Sequence, residues 1–241
     1  YNVEVKRNLI DQDFNFKEFK LTDVQKTAFE EIKIRFSQNK NVLFKGITSS
    51  GKTEIYISLI NELLNSKNQI LFLVPEIALT TQLVERLKIY FAKNLVVYHS
   101  GLSINQRAEL WNEIIKNDKP QVIIGARSAV LLPYNKLKLI IVDEEHEQSY
   151  KQYEPSPRYH ARDAALMLGN IHNSNVILGS ATPSLESFYN SKISKKLSLV
   201  ELNSRFGNIP LPKIELINLS DKVKNGKMYG LFSDSLVKRI K

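Results

Sequence analysis

The segment Gly46-Ile47-Thr48-Ser49-Ser50-Gly51-Lys52-Thr53 has the residue spacing of a phosphate-binding loop. It follows an apolar run and precedes an amphipathic one, which is the strand, loop and helix context that this motif requires. Small residues let backbone N–H groups wrap phosphate oxygens at a helix N-terminus. We therefore predict that ATP binds here, with Lys52 on its β- and γ-phosphates and the Thr53 hydroxyl on Mg²⁺. The other predicted contacts are Gly46, Thr48, Ser49, Ser50 and Gly51.

A second candidate group is the run of acids that ends the apolar stretch beginning at Leu139. Asp143 is placed to hold the magnesium shell, and Glu144 to position or polarise an attacking water. His146 follows the acids and suits a contact with the strand that ends at Ser180. The alternatives are a solvated strand end for each acid and a hydrogen-bonded linker residue for the histidine.

These groups need a scaffold, and short apolar runs alternate with longer amphipathic stretches along the chain. Helices are predicted at Thr53 to Leu64 and at Ala78 to Tyr90, where apolar residues recur at helical spacing. The alternation predicts an α/β fold whose mostly parallel sheet is covered by helices on both faces, with functional groups beyond the strand carboxyl ends. The predicted strands are Val42 to Lys45, Ile70 to Val74, Leu95 to Tyr98, Val122 to Gly125, Leu139 to Asp143 and Val176 to Gly179.

Two regions do not follow this alternation: residues 1–20, rich in Phe, Lys and Asp, and the segment from about Leu197 to Met228. We predict a linker or part of a preceding domain at 1–20, a globular lobe at 21–200, and a connection towards a second lobe at 201–241. The residues from Ser233 onward predict a helix that begins with Ser233 as its N-cap. Because the chain stops there, we expect a fragment of a longer protein.

The composition favours a polyanionic partner. Lys plus Arg number 34 against 25 Asp plus Glu, a net charge of +9, which indicates nucleic acid, although a solvated lysine-rich surface is the alternative. The chain has no cysteine, which excludes a disulfide framework and a thiolate zinc site within it. No membrane-length apolar run or signal pattern occurs, so we expect a cytoplasmic protein that does not contact a membrane.

Taken in order, the motifs resemble those of superfamily 2 helicases. The resemblance implies a RecA-like first motor lobe that binds ATP and Mg²⁺ and contacts single-stranded DNA. It rests on Thr22 to Gln25, the phosphate loop with Glu54, Val74 to Thr80, Asp143 to His146, and Gly179 to Ser184. Other segments are similar to the primosomal replication-restart helicases in particular: His99 to Leu102 with Arg107 and Trp111, Ile124 to Val130, Ser149 to Gln152, and Pro157 to Asp163.

The resemblance also implies properties of a whole protein. Such helicases recognise forked DNA, move 3′ to 5′, and work with primosome and single-strand-binding proteins; we expect a monomer. They also have a zinc module built from cysteines and a second RecA-like lobe whose arginines reach the ATP. This chain contains neither, so we predict weak nucleotide binding and little hydrolysis from it alone. The resemblance further leads us to expect glycine at position 49 or 50, where this chain has small serines.

Gln25 admits two interpretations. Leu21-Thr22-Asp23-Val24-Gln25 predicts a helix start in which Thr22 and Gln25 form a capping box. An amide also matches both the donor and the acceptor edge of adenine, and the resemblance favours Gln25 as an adenine contact.

Tyrosines and cations alternate after the acidic run. Tyr150, Tyr153 and Tyr159 lie among Lys151, Arg158, His160 and Arg162, so that rings can stack on bases while cations meet phosphates. By resemblance this is an aromatic-rich loop that couples DNA binding to hydrolysis through Glu144 or His146. The alternative is a tyrosine-rich loop packed on its own domain. The residues assigned to DNA are Thr80, Gly101, Arg127, Ser128, Tyr150, Lys151, Arg158 and Tyr159.

Ser180 and Thr182 are assigned to coupling between the nucleotide and the DNA, with a capped turn into the helix at Ser184 as the alternative. Glu76 does not suit a phosphate contact, and one interpretation is that it orients Arg127 or another cation. Two rival functions stay open: a nucleotide-binding regulatory module without motor activity, and a superfamily 2 ATPase that acts on RNA.

Overall fold

The computed structural model describes residues 20–64, 67–79, 81–205, 207 and 214–240. Predictions that concern residues 1–19 and Thr80 lie outside this described part. The chain divides into two units, Tyr1–Asn208 and Ile209–Lys241. Each unit is described by itself.

The larger unit contains one seven-stranded parallel sheet, which confirms the predicted α/β class. All six predicted strands are present, with ends shifted by at most two residues. The strands are β1 (Val42–Gly46), β2 (Gln69–Leu73), β3 (Leu95–Tyr98), β4 (Gln121–Gly125), β5 (Leu137–Val142), β6 (Asn175–Ser180) and β7 (Ser198–Leu202). Their order across the sheet is β3-β4-β2-β5-β6-β1-β7.

The strand β7 was not predicted, and the expectation of irregular structure from about Leu197 is wrong for Ser198–Leu202. This strand lies at the sheet edge and pairs in parallel with β1. Its apolar signal is weak because only Val200 and Leu202 are buried, while Glu201 forms an ion pair with Lys45 at 3.1 Å. The proposed lobe boundary at residue 200 remains a prediction.

The described residues of this unit form six α-helices, of which the first precedes β1 and the other five lie between strands. They are α1 (Asp23–Ser37), α2 (Lys52–Leu63), α3 (Thr81–Phe91), α4 (Ile104–Lys116), α5 (Ala161–His172) and α6 (Leu185–Lys192). The capping box predicted for α1 is present, with Thr22 and Gln25 each bonding to the other's backbone. The predicted helix from Ala78 begins later, at Thr81. A 3₁₀ turn at Glu76–Ala78 precedes it, because the N–H groups of Ala78 and Leu79 bond to the Pro75 carbonyl.

Successive strand residues enter two separate apolar cores, one on each face of the sheet. Val42 and Phe44 pack with residues of α1, α2 and α3, whereas Leu43 packs with residues of α4 and α5. Since both faces are covered, the strands are continuous apolar runs rather than alternating ones. The sheet edge beyond the strand carboxyl ends is thus left for polar groups.

Tyr56 of α2 packs against the sheet near the carboxyl ends of its strands. It is fully buried between Phe44 and Phe72, with ring centroids 6.0 and 5.7 Å away. Its hydroxyl donates to the Asp143 carboxylate at 3.0 Å. A Cβ at Gly179 would lie 1.8 Å from that hydroxyl, so only glycine leaves room for this contact.

The smaller unit contains two short helices and a two-stranded antiparallel hairpin. Its elements are α7 (Leu219–Lys224), β8 (Met228–Tyr229), β9 (Phe232–Ser233) and α8 (Asp234–Ile240). The Ser233 hydroxyl accepts the N–H of Leu236 at 3.2 Å, which confirms the predicted N-cap. Among the described residues of the whole chain, no helix is both long and apolar enough to cross a membrane.

We expect Gly179→Ala to lower the free energy of unfolding by about 1–3 kcal/mol, because the added methyl group overpacks the core against Tyr56. Tyr56→Phe removes the hydroxyl that the methyl group would meet, so the double variant should recover part of this loss. Denaturant unfolding of the four proteins measures the coupling between the two sites. Strictly additive losses would contradict the predicted contact.

Candidate nucleotide and nucleic-acid sites

The phosphate loop lies between β1 and α2. Gly51 precedes α2 in a left-handed conformation, at φ +86°, and the helix begins without a side-chain cap. Its first N–H groups are therefore available to an anion. The Lys52 amine donates to the Gly46 carbonyl at 3.1 Å and lies 3.6 Å from the Glu144 carboxylate. The Ser50 hydroxyl is buried without a hydrogen-bond partner, as expected of a loop that fits phosphate.

Ser49 explains why glycine was expected in this loop. Its φ is +62°, in the left-handed region that glycine enters without steric cost and other residues do not. Serine is small enough to adopt this conformation, so the loop keeps its shape at the cost of some backbone strain.

The loop and the acidic run share one pocket of about 300 Å³. The sequence therefore predicted correctly that these distant segments meet. Gly46 and Thr48 were also expected around phosphates, but they do not line this pocket. Its lining residues are Ser49, Ser50, Gly51, Lys52, Thr53, Glu54, Arg86, Asp143 and Glu144.

Arg86 is a pocket residue that the sequence analysis did not single out. It forms an ion pair with Glu54, the residue directly after the phosphate loop. Glu54 had a positional signal, but Arg86 lies on the polar side of α3, where an arginine is ordinary. Only the packing of α3 beside α2 shows that this cation belongs to the pocket.

Asp143 has the electrostatics of a cation ligand. Burial and, next, the neighbouring Glu144 raise the pKa of its carboxyl group to about 6, against the opposing effects of Lys52 and Tyr56. A bound cation would offset this cost. Within the described residues no group of three or more histidines and carboxylates could hold a metal. The groups that fit Mg²⁺ are thus the Thr53 hydroxyl and the Asp143 carboxylate, together with phosphate oxygens.

A series of contacts runs from the pocket residue Glu144 through His146 to Ser180. Glu144 has a left-handed φ of +47° and lies 3.7 Å from Nδ1 of His146. The same nitrogen lies 2.8 Å from the Ser180 hydroxyl, which accepts the N–H of Thr182 at 3.0 Å. The expected contact between His146 and Ser180 is therefore present, and it joins the acids to the Ser-Ala-Thr segment.

Gln25 is engaged with the protein backbone. Its amide oxygen accepts the N–H of Thr22 at 2.9 Å, and its amide nitrogen donates to the Ser50 carbonyl at 3.1 Å. The side chain is only 2% exposed. Gln25 thus ties α1 to the phosphate loop, and an adenine contact would require it to exchange one of these bonds.

Arg127 is hydrogen-bonded to the backbone at the start of the tyrosine-rich segment. Its guanidinium donates to the carbonyls of Ser149 and Lys151 at 3.3 and 3.1 Å. The interpretation that Glu76 orients Arg127 is wrong, because Glu76 accepts instead from the Ser100 hydroxyl at 2.8 Å.

Gly101 is exposed and Ser128 is half-buried, next to Arg127. Both remain candidates for a DNA backbone contact.

The three tyrosines have different environments. Tyr150 is fully buried, and its hydroxyl donates to the Asp143 carbonyl at 2.6 Å, so its assignment as a base-stacking residue is corrected to support of the acidic run. Tyr159 is half-buried against the apolar core. Tyr153 is 65% exposed, and Arg158 is also exposed. Of these three rings, Tyr153 is therefore the most accessible to a stacking partner, and it was absent from the predicted site residues.

The ends of this loop, residues 151–160, are pinned together. Lys151 and His160 form an antiparallel bridge, and the Lys151 amine donates to the Arg158 carbonyl at 3.1 Å. His160 caps α5 through Nδ1, which accepts the N–H of Arg162. Burial and the nearby Arg162 lower the pKa of His160, so the ring is neutral at physiological pH.

Comparison with known proteins identifies the family to which the chain belongs. Residues 22–190 match the DEAD/DEAH box helicase family. The chain is similar to the replication restart protein PriA of Bacillus subtilis, with 39% identity over 95% of the chain, and to that of Chlamydia pneumoniae, with 43% identity over 90%. It spans only 29% of the length of each of these relatives.

Solved structures support the fold. The chain resembles RecG in a structure bound to a three-way DNA junction, with a TM-score of 0.56 and 21% identity. The match covers 87% of this chain and 27% of RecG. Because the identity is low, this likeness shows the RecA-like fold alone.

We expect Asp143→Asn to raise the free energy of unfolding above about pH 6, on the order of 1 kcal/mol. The folded protein holds a proton at Asp143 up to about pH 6, whereas the unfolded chain releases it near pH 4. The contribution of Asp143 to wild-type stability therefore falls as the pH rises between these values. Asparagine has no such titration, so the difference should shrink towards pH 4. Equal stability of the two proteins at pH 7.5 would contradict the assignment.

Proposed function

The chain belongs to the DEAD/DEAH box helicase family, and from this premise we propose that it is the first motor lobe of an ATP-hydrolysing DNA helicase. The observation that supports the proposal most directly is the pocket shared by the phosphate loop and two acids, with Lys52 only 3.6 Å from Glu144. Glu144 is thus close enough to the phosphate loop to position an attacking water, which hydrolysis requires and nucleotide binding alone does not.

Each pocket residue has a distinct proposed role. Lys52 and the N-terminus of α2 bind the β- and γ-phosphates, while Thr53 and Asp143 hold Mg²⁺. Mg²⁺ held by these two residues would neutralise phosphate charge. Glu144, whose side chain is 35% exposed, is reachable by water and positions it for attack. His146 holds Ser180 and so links this acid to the Ser-Ala-Thr segment.

The nucleic-acid surface is proposed to be the exposed part of the tyrosine-rich loop. Tyr153 offers a ring for stacking, and Arg158, exposed in the same loop, offers a charge for phosphate. Gly101, Ser128 and the half-buried Tyr159 extend this surface. The net charge of +9 favours contact with a phosphate backbone without regard to base sequence.

The role of the whole protein is a wider part of the proposal. Similarity to replication restart proteins supports action on forked DNA in replication restart, with 3′-to-5′ movement and primosome partners. A second lobe would supply the arginine that completes the ATP site. We place this helicase in the cytoplasm.

In the full-length protein we expect single-stranded DNA to stimulate ATP hydrolysis and Lys52→Ala to lower it about 10²- to 10³-fold, as for loss of a charge contact in a transition state. Lys45→Ala is the matched control, because Lys45 lies on the strand that enters the loop but pairs with Glu201. Steady-state turnover is measured with DNA, with RNA and without nucleic acid. Equal stimulation by RNA would favour an RNA-directed ATPase, and no stimulation would favour a regulatory module.

We expect this chain by itself to hydrolyse ATP at least ~10³-fold more slowly than the full-length protein, because an arginine supplied from outside can contribute that much. Addition of single-stranded DNA should not restore the rate. Single-turnover measurements on both proteins test this. Comparable rates would show that the lobe carries a complete catalytic site.

A further inference from the structure

A third carboxylate, Glu145, follows the two pocket acids but does not line the pocket. Its side chain is 0% exposed. Burying a carboxylate is unfavourable unless charge and hydrogen bonds compensate it. The groups that compensate Glu145 come from two helices that begin at functional segments.

Four donors surround the Glu145 carboxylate. The Ser184 backbone N–H donates to one oxygen at 2.7 Å. The hydroxyls of Ser184 and Ser187 donate to the other oxygen at 3.1 and 2.8 Å, and the Arg162 guanidinium donates to it at 3.2 Å. Arg162 also donates to the Ser184 hydroxyl at 2.8 Å. Glu145, Arg162 and Ser184 therefore form a closed triangle, here called the carboxylate triangle.

Each corner of the triangle is attached to a different functional segment. Glu145 directly follows Glu144 and directly precedes His146. Arg162 lies on α5, two residues after the bridge that closes the tyrosine-rich loop at His160. Ser184 caps α6, two residues after Thr182. A movement at any of the three segments thus reaches the other two through one buried contact.

We propose that the carboxylate triangle positions Glu144 and His146 for hydrolysis according to whether DNA occupies the tyrosine-rich loop. This inference rests on the proposed function. Arg162 is the positioning residue, since it joins the DNA side to the acidic run. Separating the partners of a buried ion pair leaves an uncompensated charge, so a shift of Arg162 changes how Glu145 is held and with it the position of the two residues on either side.

The backbone beside the triangle supports this role. Glu144 is held at φ +47°, a conformation that costs free energy and persists only when its surroundings enforce it. Both the backbone and the side chain of the next residue, Glu145, are held in place. Its N–H donates to the Gly179 carbonyl at 3.0 Å, and its carboxylate accepts the hydrogen bonds of the triangle. If the contacts of the Glu145 carboxylate are lost, the backbone of Glu144 can therefore leave its strained conformation.

The test is ATP hydrolysis by the full-length protein, with DNA-stimulated kcat measured separately from the KM for ATP and from DNA affinity. Arg162→Lys keeps the charge but loses the planar guanidinium. We expect its stimulation by single-stranded DNA to fall about 10- to 100-fold, since a small misplacement of catalytic groups can cost about 10²-fold. The KM for ATP and the affinity for DNA should stay within about twofold of wild type.

Asp163→Ala is the matched control. Asp163 accepts from Nε of the same guanidinium at 2.9 Å, but its side chain is 62% exposed and it lies outside the triangle. This variant should keep the wild-type stimulation. Ser187→Ala removes one neutral donor from Glu145 and should lower stimulation about threefold, which tests the inference even if Arg162→Lys does not fold.

Three outcomes would overturn the inference. Arg162→Lys and Ser187→Ala with wild-type stimulation would leave the triangle a structural support only. Loss of DNA affinity in Arg162→Lys would make this residue a DNA contact instead. A wild-type protein that DNA does not stimulate would remove the proposed function as well, whereas the first two outcomes leave that function intact.

Discussion

The parallel pairing of β5 and β1 on either side of β6 is the constraint on which the functional site depends. In the observed register Val142 lies beside Leu178, and Lys45 lies beside Ser180. The acidic run, the Ser-Ala-Thr segment and the phosphate loop therefore leave the sheet at the same edge. A slip of one residue would turn every side chain of a strand to the opposite face and separate these groups.

This arrangement brings three consecutive carboxylates close together, and each lies in a different environment. Asp143 lies against Tyr56 and has a raised pKa. Glu144 is partly exposed and faces Lys52. Glu145 is buried with Arg162. The three environments suit the acids to different proposed roles, a cation ligand, a reactive group and an anchor, although their side chains are chemically almost the same.

The tyrosine-rich loop shows the same division of roles. One ring supports the acidic run from inside the fold, one is half-buried against the core, and Tyr153 faces solvent. Packing on its own domain is therefore confirmed for Tyr150, whereas contact with DNA remains a proposal for Tyr153. Hydrogen bonds join both ends of this loop to the acidic run, from Tyr150 to Asp143 and from Arg162 to Glu145. A contact made by the loop could therefore shift these acids.

Local patterns in the sequence predicted the fold class, six of the seven strands of the parallel sheet, and the meeting of the phosphate loop and the acids in one pocket. These follow from local patterns: apolar runs, motif spacing and the rule that parallel strands end at one edge. It did not predict β7, the place of Arg86 in the pocket, the burial of Tyr150 or the partners of Glu145. Those depend on which surfaces pack together, and tyrosine, arginine and glutamate have the same local signal whether buried or exposed. Whether such a side chain is buried, and which group it pairs with, depends on the tertiary structure, because burial and pairing arise between residues far apart in the chain.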